Sequence, residues 1–200
     1  LLAVPFFLLT ANLMGVGGIT DRLVRFSRAL VGHFPGGLAQ VNVVLSIFFA
    51  GVSGSSTADA ASQGKIFIEA QVKEGYDVSF SVAITAVSAV LAVIIPPSIL
   101  MIVWGGVLTV SIGGLFLAGV IPGLLIGLAQ LATVHAYAKI RGYPTYTRST
   151  FMEVVKALMV SLPALMTPVI IIGGKVFGWF TPTEAACIAV LYAILLTAFV

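Results

Sequence analysis

Ser53-Gly-Ser-Ser-Thr-Ala-Asp59 is a run of small and polar residues between two arms of unequal polarity. The first arm starts at Pro35-Gly36-Gly37 and runs apolar to Val52. The second extends from Ala58 to about Val72, with charges resuming at Lys65. At ~1.5 Å per residue, an arm of this length barely crosses a ~30 Å hydrocarbon core. A single crossing here would bury the tip's polar neighbours in lipid or leave the second arm outside it. A re-entrant helical hairpin over residues 35–76 avoids both, descending to a tip near mid-membrane and returning to the side it left. Irregular backbone at that depth is stable only where protein or a water-filled cavity surrounds it. The tip is therefore read as a site rather than as a tight polar turn.

The rest of the chain supports a membrane setting. Of 200 residues, 60% are hydrophobic and only 8% are charged, against roughly 25% charged in a soluble domain. That excludes a soluble enzyme, a nucleic-acid binder and a disordered segment. Charge is absent from residues 1–20, 29–58, 78–138 and 157–174, and these runs show no period-2 alternation. They predict an all-α polytopic transmembrane protein rather than a barrel.

Residues 1–19 read as the end of a span closed by Gly15-Val-Gly-Gly18. Residues 20–34 read as an interfacial helix capped by Thr20-Asp21, with Leu23, Phe26 and Leu30 on one face and Arg22, Arg25 and Arg28 on another. Residues 78–138 hold two spans. The first is broken at Pro96-Pro97, because proline removes an amide donor and clashes with the preceding turn. Residues 157–200 hold one span and, after a cap at Thr181, the start of the next. The chain opens without Met and closes inside an apolar run, which reads as a fragment of a longer membrane protein. With no net crossing by the hairpin, the clusters 21–28 (+2), 65–77 (−1) and 139–156 (+3) share one side. They hold nine of the ten Lys and Arg, so that side is expected to be cytoplasmic.

Two constellations can carry chemistry. At the tip, the last carbonyls of the first arm lack helix partners, Ser53, Ser55 and Ser56 add hydroxyl oxygens, and Gly54 permits the turn. Neutral oxygens of this kind suit a hard, weakly hydrated cation such as Na⁺. Ser56-Thr-Ala-Asp59 fits a capping box that opens the second arm, with free amides near Ala58 and Asp59 suited to a carboxylate. Ser56, Thr57 and Asp59 are thus the candidates for contact with substrate. The second constellation is Pro96-Pro97-Ser98, which frees carbonyls around Ala92 and Val93 and adds a hydroxyl. Breaks in two separate segments are what a midplane transport site requires, and the expected Na⁺ ligands are Ser53, Gly54, Ser55, Ser56, Pro96, Pro97 and Ser98, through side chain or backbone. Asp59 either faces an ion or caps its helix. Glu184 reads as a cap, Cys187 as a packed thiol, and the isolated His33 and His135 do not form a metal site.

In series, Ser53-Gly-Ser-Ser-Thr-Ala-Asp59, Gly64-Lys-Ile-Phe-Ile68, Gly75-Tyr-Asp77, Ile94-Ile-Pro-Pro-Ser-Ile99, Gly113-Gly-Leu-Phe-Leu-Ala-Gly-Val-Ile-Pro-Gly123, Arg141-Gly-Tyr-Pro144 and Phe180-Thr-Pro-Thr-Glu-Ala-Ala186 resemble the large permease subunit of tripartite ATP-independent periplasmic (TRAP) transporters. This is the DctM-like component of the ion-transporter superfamily. The resemblance covers nearly the whole chain. It implies a Na⁺-driven elevator that imports organic acids, C4-dicarboxylates and sialic acids among them, across the bacterial inner (cytoplasmic) membrane. It also implies a periplasmic substrate-binding protein that delivers the substrate and a small TRAP membrane subunit that braces the scaffold. No nucleic acid is implied, and no cofactor besides Na⁺ as the coupling ion. Two inverted repeats are implied, each with a hairpin and a broken helix, of which this chain carries the first. It would then hold one Na⁺ site and half of a substrate site.

Two rival readings are weaker. Gly51-Val-Ser53-Gly54 matches the G-x-S-G of an intramembrane serine protease, with His135 as the base. A serine nucleophile needs its base within hydrogen-bond reach, yet His135 lies four residues from Lys139 at the far end of a span. A purely structural membrane scaffold has no use for polar breaks in two segments.

Overall fold

The computed structural model of the chain describes residues 2–16 and 18–198. Leu1, Gly17, Phe199 and Val200 lie outside them, and with them the ends of the expected segments 1–19 and 157–200 and part of the Gly15–Gly18 closure. Among the described residues all regular structure is helical.

Helix α3 (Gly37–Ser53) is the hub. Fourteen of its 17 residues are buried, and it touches α1, α2, α4, α5, α6, α8 and α9. Its sequence carries no charge and is apolar apart from Gln40, Asn42, Ser46 and Ser53, as suits a helix buried nearly all round. α4 (Ser56–Lys73) returns antiparallel to it, completing the hairpin. Only Asp59, Gln63, Phe67 and Gln71 of α4 are buried; at every fourth residue, they form one stripe facing the protein.

α5 (Val78–Ala89), α6 (Leu91–Ile94) and α7 (Ile99–Val107) form one path that bends by 41° between residues 94 and 99. Pro96 and Pro97 lie in that bend, and the peptide bond between them is cis. α8 (Ile112–Arg141) starts on Ser111, whose hydroxyl accepts the Gly114 amide at 3.2 Å, and continues through Pro122. Gly119, Gly123 and Gly127 set its inner face against the bend and the hub. A Cβ at Gly119 would strike the Ile94 carbonyl, and one at Gly127 would lie 2.9 Å from Ile47 Cδ1. Small residues at this spacing let helix backbones approach closely.

The remaining helices flank this unit. α1 (Ala3–Val16) packs on α10 (Pro182–Ala198), joining Ala3 and Phe7 to Ala185, Ala186 and Ala189. α2 (Ile19–Val31) lies against α3 and α9 (Phe151–Val176). Its buried face is Ile19, Leu23, Phe26, Ser27 and Val31, whereas Leu30 is 40% exposed and leaves the apolar face assigned to it. The cap of α2 is Gly18, at φ 68°, and not Thr20-Asp21, which fall inside the first turn. α9 begins six residues before the expected span start at 157, because Thr150 and Glu153 form a capping box ahead of it. Thr181 caps α10, its hydroxyl accepting the Glu184 amide at 3.3 Å while Glu184 Oε2 accepts the Thr181 amide at 2.7 Å.

α8 and α9 are long and apolar enough to cross a membrane, and the bent α5–α7 path passes the same test as a unit. Trp104, Leu117, Ile121, Leu125 and Val169 are exposed on these helices. An outer surface this apolar suits lipid and not water. The chain is a polytopic helical membrane protein.

The polar segments gather at one end. The Tyr146 amide donates to Gly32 O at 3.0 Å, and the Gly37 amide donates to Pro144 O at 3.1 Å. The Tyr146 ring lies under the Arg28 guanidinium at 3.9 Å while its hydroxyl donates to the Glu74 carboxylate. Asp77 pairs with Arg141 at 3.3 Å and accepts from the Tyr143 hydroxyl at 2.9 Å. Arg28, Glu74, Asp77 and Arg141 are therefore neighbours in space, although they come from three charge clusters.

Candidate functional site

The hairpin tip seats on the bend of α5–α7. Gly54 is the left-handed C-cap of α3, at φ 61°. Its carbonyl accepts the Ile99 amide at 3.1 Å. A Cβ on Gly54 would lie 2.5 Å from the Pro97 carbonyl oxygen, so only glycine allows this approach. Four helix ends meet here: the C-termini of α3 and α6, capped at Gly54 and Ile95, and the N-termini of α4 and α7, capped at Ser55 and Ser98.

Each sequence-predicted residue has a definite place in this junction. Ser53 is buried, and its hydroxyl accepts the Ser55 amide at 3.3 Å. The Ser55 hydroxyl accepts the Ala58 amide at 3.4 Å and lies 3.2 Å from Thr57 Oγ1. That corrects the expected capping box: α4 starts one residue early, Ser55 is its cap, and Ser56 is its first helical residue. The reason is Gly54, whose left-handed turn ends α3 and leaves Ser55 in extended backbone, the conformation a cap requires. The amides of Ala58 and Asp59 are thereby taken by Ser55, and the first-turn amides outside these bonds are those of Ser56 and Thr57. Ser98 is fully buried and caps α7, accepting from Met101 at 3.4 Å. Pro96 and Pro97 lack N–H groups, so the carbonyls of Ala92 and Val93 have no amide four residues on.

The junction has two chemical faces. Carbonyls from the ends of α3 and α6, with second lone pairs on the serine hydroxyls, can hold a cation. The N-termini of α4 and α7 can hold an anion.

Asp59 stands apart from the bend. It is 1% exposed, its Oδ2 has no hydrogen-bond partner, and the Ser53 hydroxyl lies beside it. It lines a cavity of about 470 Å³ whose opposite wall is Asn12, Gly15, Gly18, Thr20 and Asp21. It is not the helix cap, because Ser55 is.

A buried polar seam runs behind the tip, and its residues were not singled out in the sequence. The Asn42 amide donates to Thr85 Oγ1 at 2.7 Å. Ser46 Oγ lies 2.8 Å from Gln63 Oε1 and 2.9 Å from Ser88 Oγ. It ties α3 to α4 and α5 by side-chain hydrogen bonds. The only advance signal was the placing of Asp59, Gln63 and Gln71 at multiples of four residues along α4.

His135 is far from Ser53. Its ring lies 6.3 Å from that of Phe34, just before α3 starts, whereas Ser53 ends α3, about 24 Å further on. No serine–histidine pair forms there.

A family described as "Tripartite ATP-independent periplasmic transporter, DctM component" matches residues 1–200. The sialic acid TRAP transporter large permease protein of Vibrio cholerae is 45% identical over 196 residues, 98% of this chain and 46% of that protein. The C4-dicarboxylate TRAP transporter large permease protein of Pseudomonas aeruginosa is 42% identical over 200 residues, 100% of this chain and 47% of that protein. The isethionate TRAP transporter permease protein of Oleidesulfovibrio alaskensis is 41% identical over 204 residues, 100% of this chain and 32% of that protein. The chain spans a third to a half of the length of these relatives.

Proposed function

The chain belongs to the DctM component family of tripartite ATP-independent periplasmic transporters, a family of transporters and not of enzymes, and we propose that it forms the first half of the transport core of a Na⁺-coupled organic-acid importer. The observation that carries this reading is the Ile99–Gly54 backbone hydrogen bond, which joins two helix breaks into one junction with a carbonyl face and an amide face. Secondary transporters use such a pairing for a cation and an anionic substrate.

In this reading Na⁺ sits against Gly54, Pro96 and Pro97 through backbone oxygens and against Ser53, Ser55, Ser56 and Ser98 through backbone or hydroxyl oxygens. The substrate carboxylate meets the α4 N-terminus at Ser56 and Thr57. Asp59 acts from the neighbouring cavity. The substrate is an organic acid; the relatives' names include sialic acid, C4-dicarboxylates, isethionate and ectoine, and selectivity rests partly on sequence outside this chain. The hairpin is re-entrant, the end bearing Arg28, Glu74 and Arg141 is cytoplasmic, and the membrane is the bacterial inner membrane. The partners are a periplasmic substrate-binding protein and a small membrane subunit.

The test is a Na⁺ titration of organic-acid uptake by the reconstituted full-length complex carrying Ser55→Ala, Gly54→Val or Ser98→Ala. Each is expected to raise the Na⁺ concentration for half-maximal uptake, Gly54→Val most. Three unchanged curves would move the ion site elsewhere.

A further inference from the structure

α2 and α9 are clamped together by the fully buried Ser161, whose hydroxyl donates to the Arg22 carbonyl at 3.0 Å. Beside this clamp is a cavity of about 270 Å³ lined by Arg22, Arg25, Glu153, Lys156, Ala157 and Val160. Three cations thus face one acid. That acid is already engaged, since Glu153 Oε2 accepts the Thr150 amide at 2.7 Å as part of the α9 capping box. Among the described residues the one ion pair is Arg141–Asp77, so Arg22, Arg25 and Lys156 are not paired with the single carboxylate, Glu153, that shares their cavity. Arg28, one turn further along α2, is used differently, over the Tyr146 ring.

Like charges sharing one concavity repel unless an anion joins them, and at the edge of a low-dielectric membrane that repulsion is poorly screened. The other half of the cavity is apolar. Ala157 and Val160 line it, and Met159 and Val160 continue onto the exposed face of α9. A soluble anion would use the cations and leave this track bare. An anion with an acyl chain uses both. α2 is amphipathic, with Leu23 and Phe26 buried and Arg25 and Arg28 exposed, which is the pattern of a helix lying in the headgroup layer. Basic pockets between helices on the cytoplasmic side recognise anionic headgroups.

We propose that this cavity is a binding site for an anionic phospholipid. Its phosphodiester lies between Arg22, Arg25 and Lys156, and its acyl chains run along Ala157 and Val160. Bound there, the lipid fastens α2 to α9 from outside, in addition to the Ser161 clamp.

The test is native mass spectrometry of the full-length permease titrated with phosphatidylglycerol or with phosphatidylcholine of the same chains. Selective retention of phosphatidylglycerol is expected. Arg25→Gln with Lys156→Gln is expected to weaken it roughly thirty-fold, at about fivefold for each cation near the surface. Arg148→Gln, an exposed basic residue outside the cavity, is expected to leave it unchanged. Melting temperatures are recorded for each variant. Val160→Asp, an exposed change on the acyl track, provides a second route to the same loss should the double variant misfold. Equal retention of the two lipids, or full retention by both the double variant and Val160→Asp, overturns the proposal. So does displacement by millimolar inorganic phosphate, which would make the cavity a site for a free anion, and so does an acidic segment of another subunit that fills it to the exclusion of lipid.

Discussion

The Ile99 amide donates to the Gly54 carbonyl at 3.1 Å, so the tip of the hairpin and the bend of α5–α7 are one structural unit although a charged turn separates them in sequence. Each break alone would expose unpaired backbone groups to lipid, at several kcal/mol per group. Together they satisfy part of that need through the Ile99–Gly54 bond.

Gly54→Ala is accordingly expected to be worse than Ser55→Ala. The added Cβ must adopt φ near 61°, at a strain of about 1–3 kcal/mol, and must also displace the Pro97 carbonyl from 2.5 Å. Ser55→Ala removes one cap, at roughly 1 kcal/mol. Thermal unfolding of the full-length protein in detergent reads both effects, and a Gly54→Ala variant that melts like wild type would show the approach at Pro97 to be soft.

The seam gives a second expectation. Ser46→Ala removes the hydroxyl shared by Gln63 and Ser88, and Gln63 Nε2 already has no partner. A buried amide left bare costs about 1–3 kcal/mol. Thr133→Ala, at an exposed hydroxyl bonded only within α8, is expected to stay within about 0.5 kcal/mol of wild type. Equal melting temperatures for the two variants would argue that water replaces the lost hydroxyl.

Why the tip and the bend were legible, and the seam was not, follows from how each one departs from pattern. Gly54 and Pro96-Pro97 interrupt apolar runs, and an interruption at membrane depth is visible without knowing its partner. Asn42, Ser46, Thr85 and Ser88 occupy ordinary helical positions, and only the packing of α3 against α4 and α5 makes them a network. The α4 stripe of Asp59, Gln63 and Gln71 could equally have been a solvated face. The Ser56-Thr-Ala-Asp59 spacing points to Ser56 as the cap; the left-handed Gly54 moves it to Ser55. The segment 143–150 has no period, so its bridging role through Tyr146 could not be read from spacing.

The contacts of Tyr146 bear on topology. Because its ring touches Arg28 and its hydroxyl meets Glu74, Arg25→Cys, Glu74→Cys and Arg148→Cys in a Cys187→Ser background are all expected to label from the cytoplasmic side. A Glu74 site reached only from the periplasm would sink the re-entrant hairpin.

Alkaline pH is expected to weaken this same end. Burial pushes the Tyr76 hydroxyl, in the turn between α4 and α5, up to about 12 from an ordinary value of 10, and burial raises Tyr143 and Tyr146 as well. Between pH 10 and pH 12 the unfolded chain loses the Tyr76 proton while the folded chain keeps it, so stability falls as pH rises through that window and is fully present below it. Melting temperature against pH should show the decline, and Tyr76→Phe should make it shallower. At neutral pH the variant is expected to lose only the contacts that the hydroxyl makes with the Leu38 and Ala39 amides at the start of α3, a pH-independent offset that leaves the slope as the readout. An identical decline in the variant would assign the effect elsewhere.

Asp59 gives the sharpest test of coupling. Its carboxyl is almost wholly buried, its Oδ2 is unpartnered, and the cavity it lines contains no Lys or Arg. An ionised carboxylate in such a place needs a cation or a proton. A role as helix cap would have explained it without either, but Ser55 holds that role. Asp59→Asn keeps the shape and the α4 cap while removing the charge. The half-saturating Na⁺ concentration for uptake is therefore expected to rise roughly tenfold, within the usual range for coupled sites, with the melting temperature little changed. Asp21→Asn is the control: this carboxylate lines the same cavity but is exposed, so its loss is expected to shift the Na⁺ curve far less. If Asp59→Asn retained wild-type Na⁺ dependence and melted normally, Asp59 would be a packing residue, and coupling would rest on the junction of Gly54 with Pro96, Pro97 and Ser98 alone.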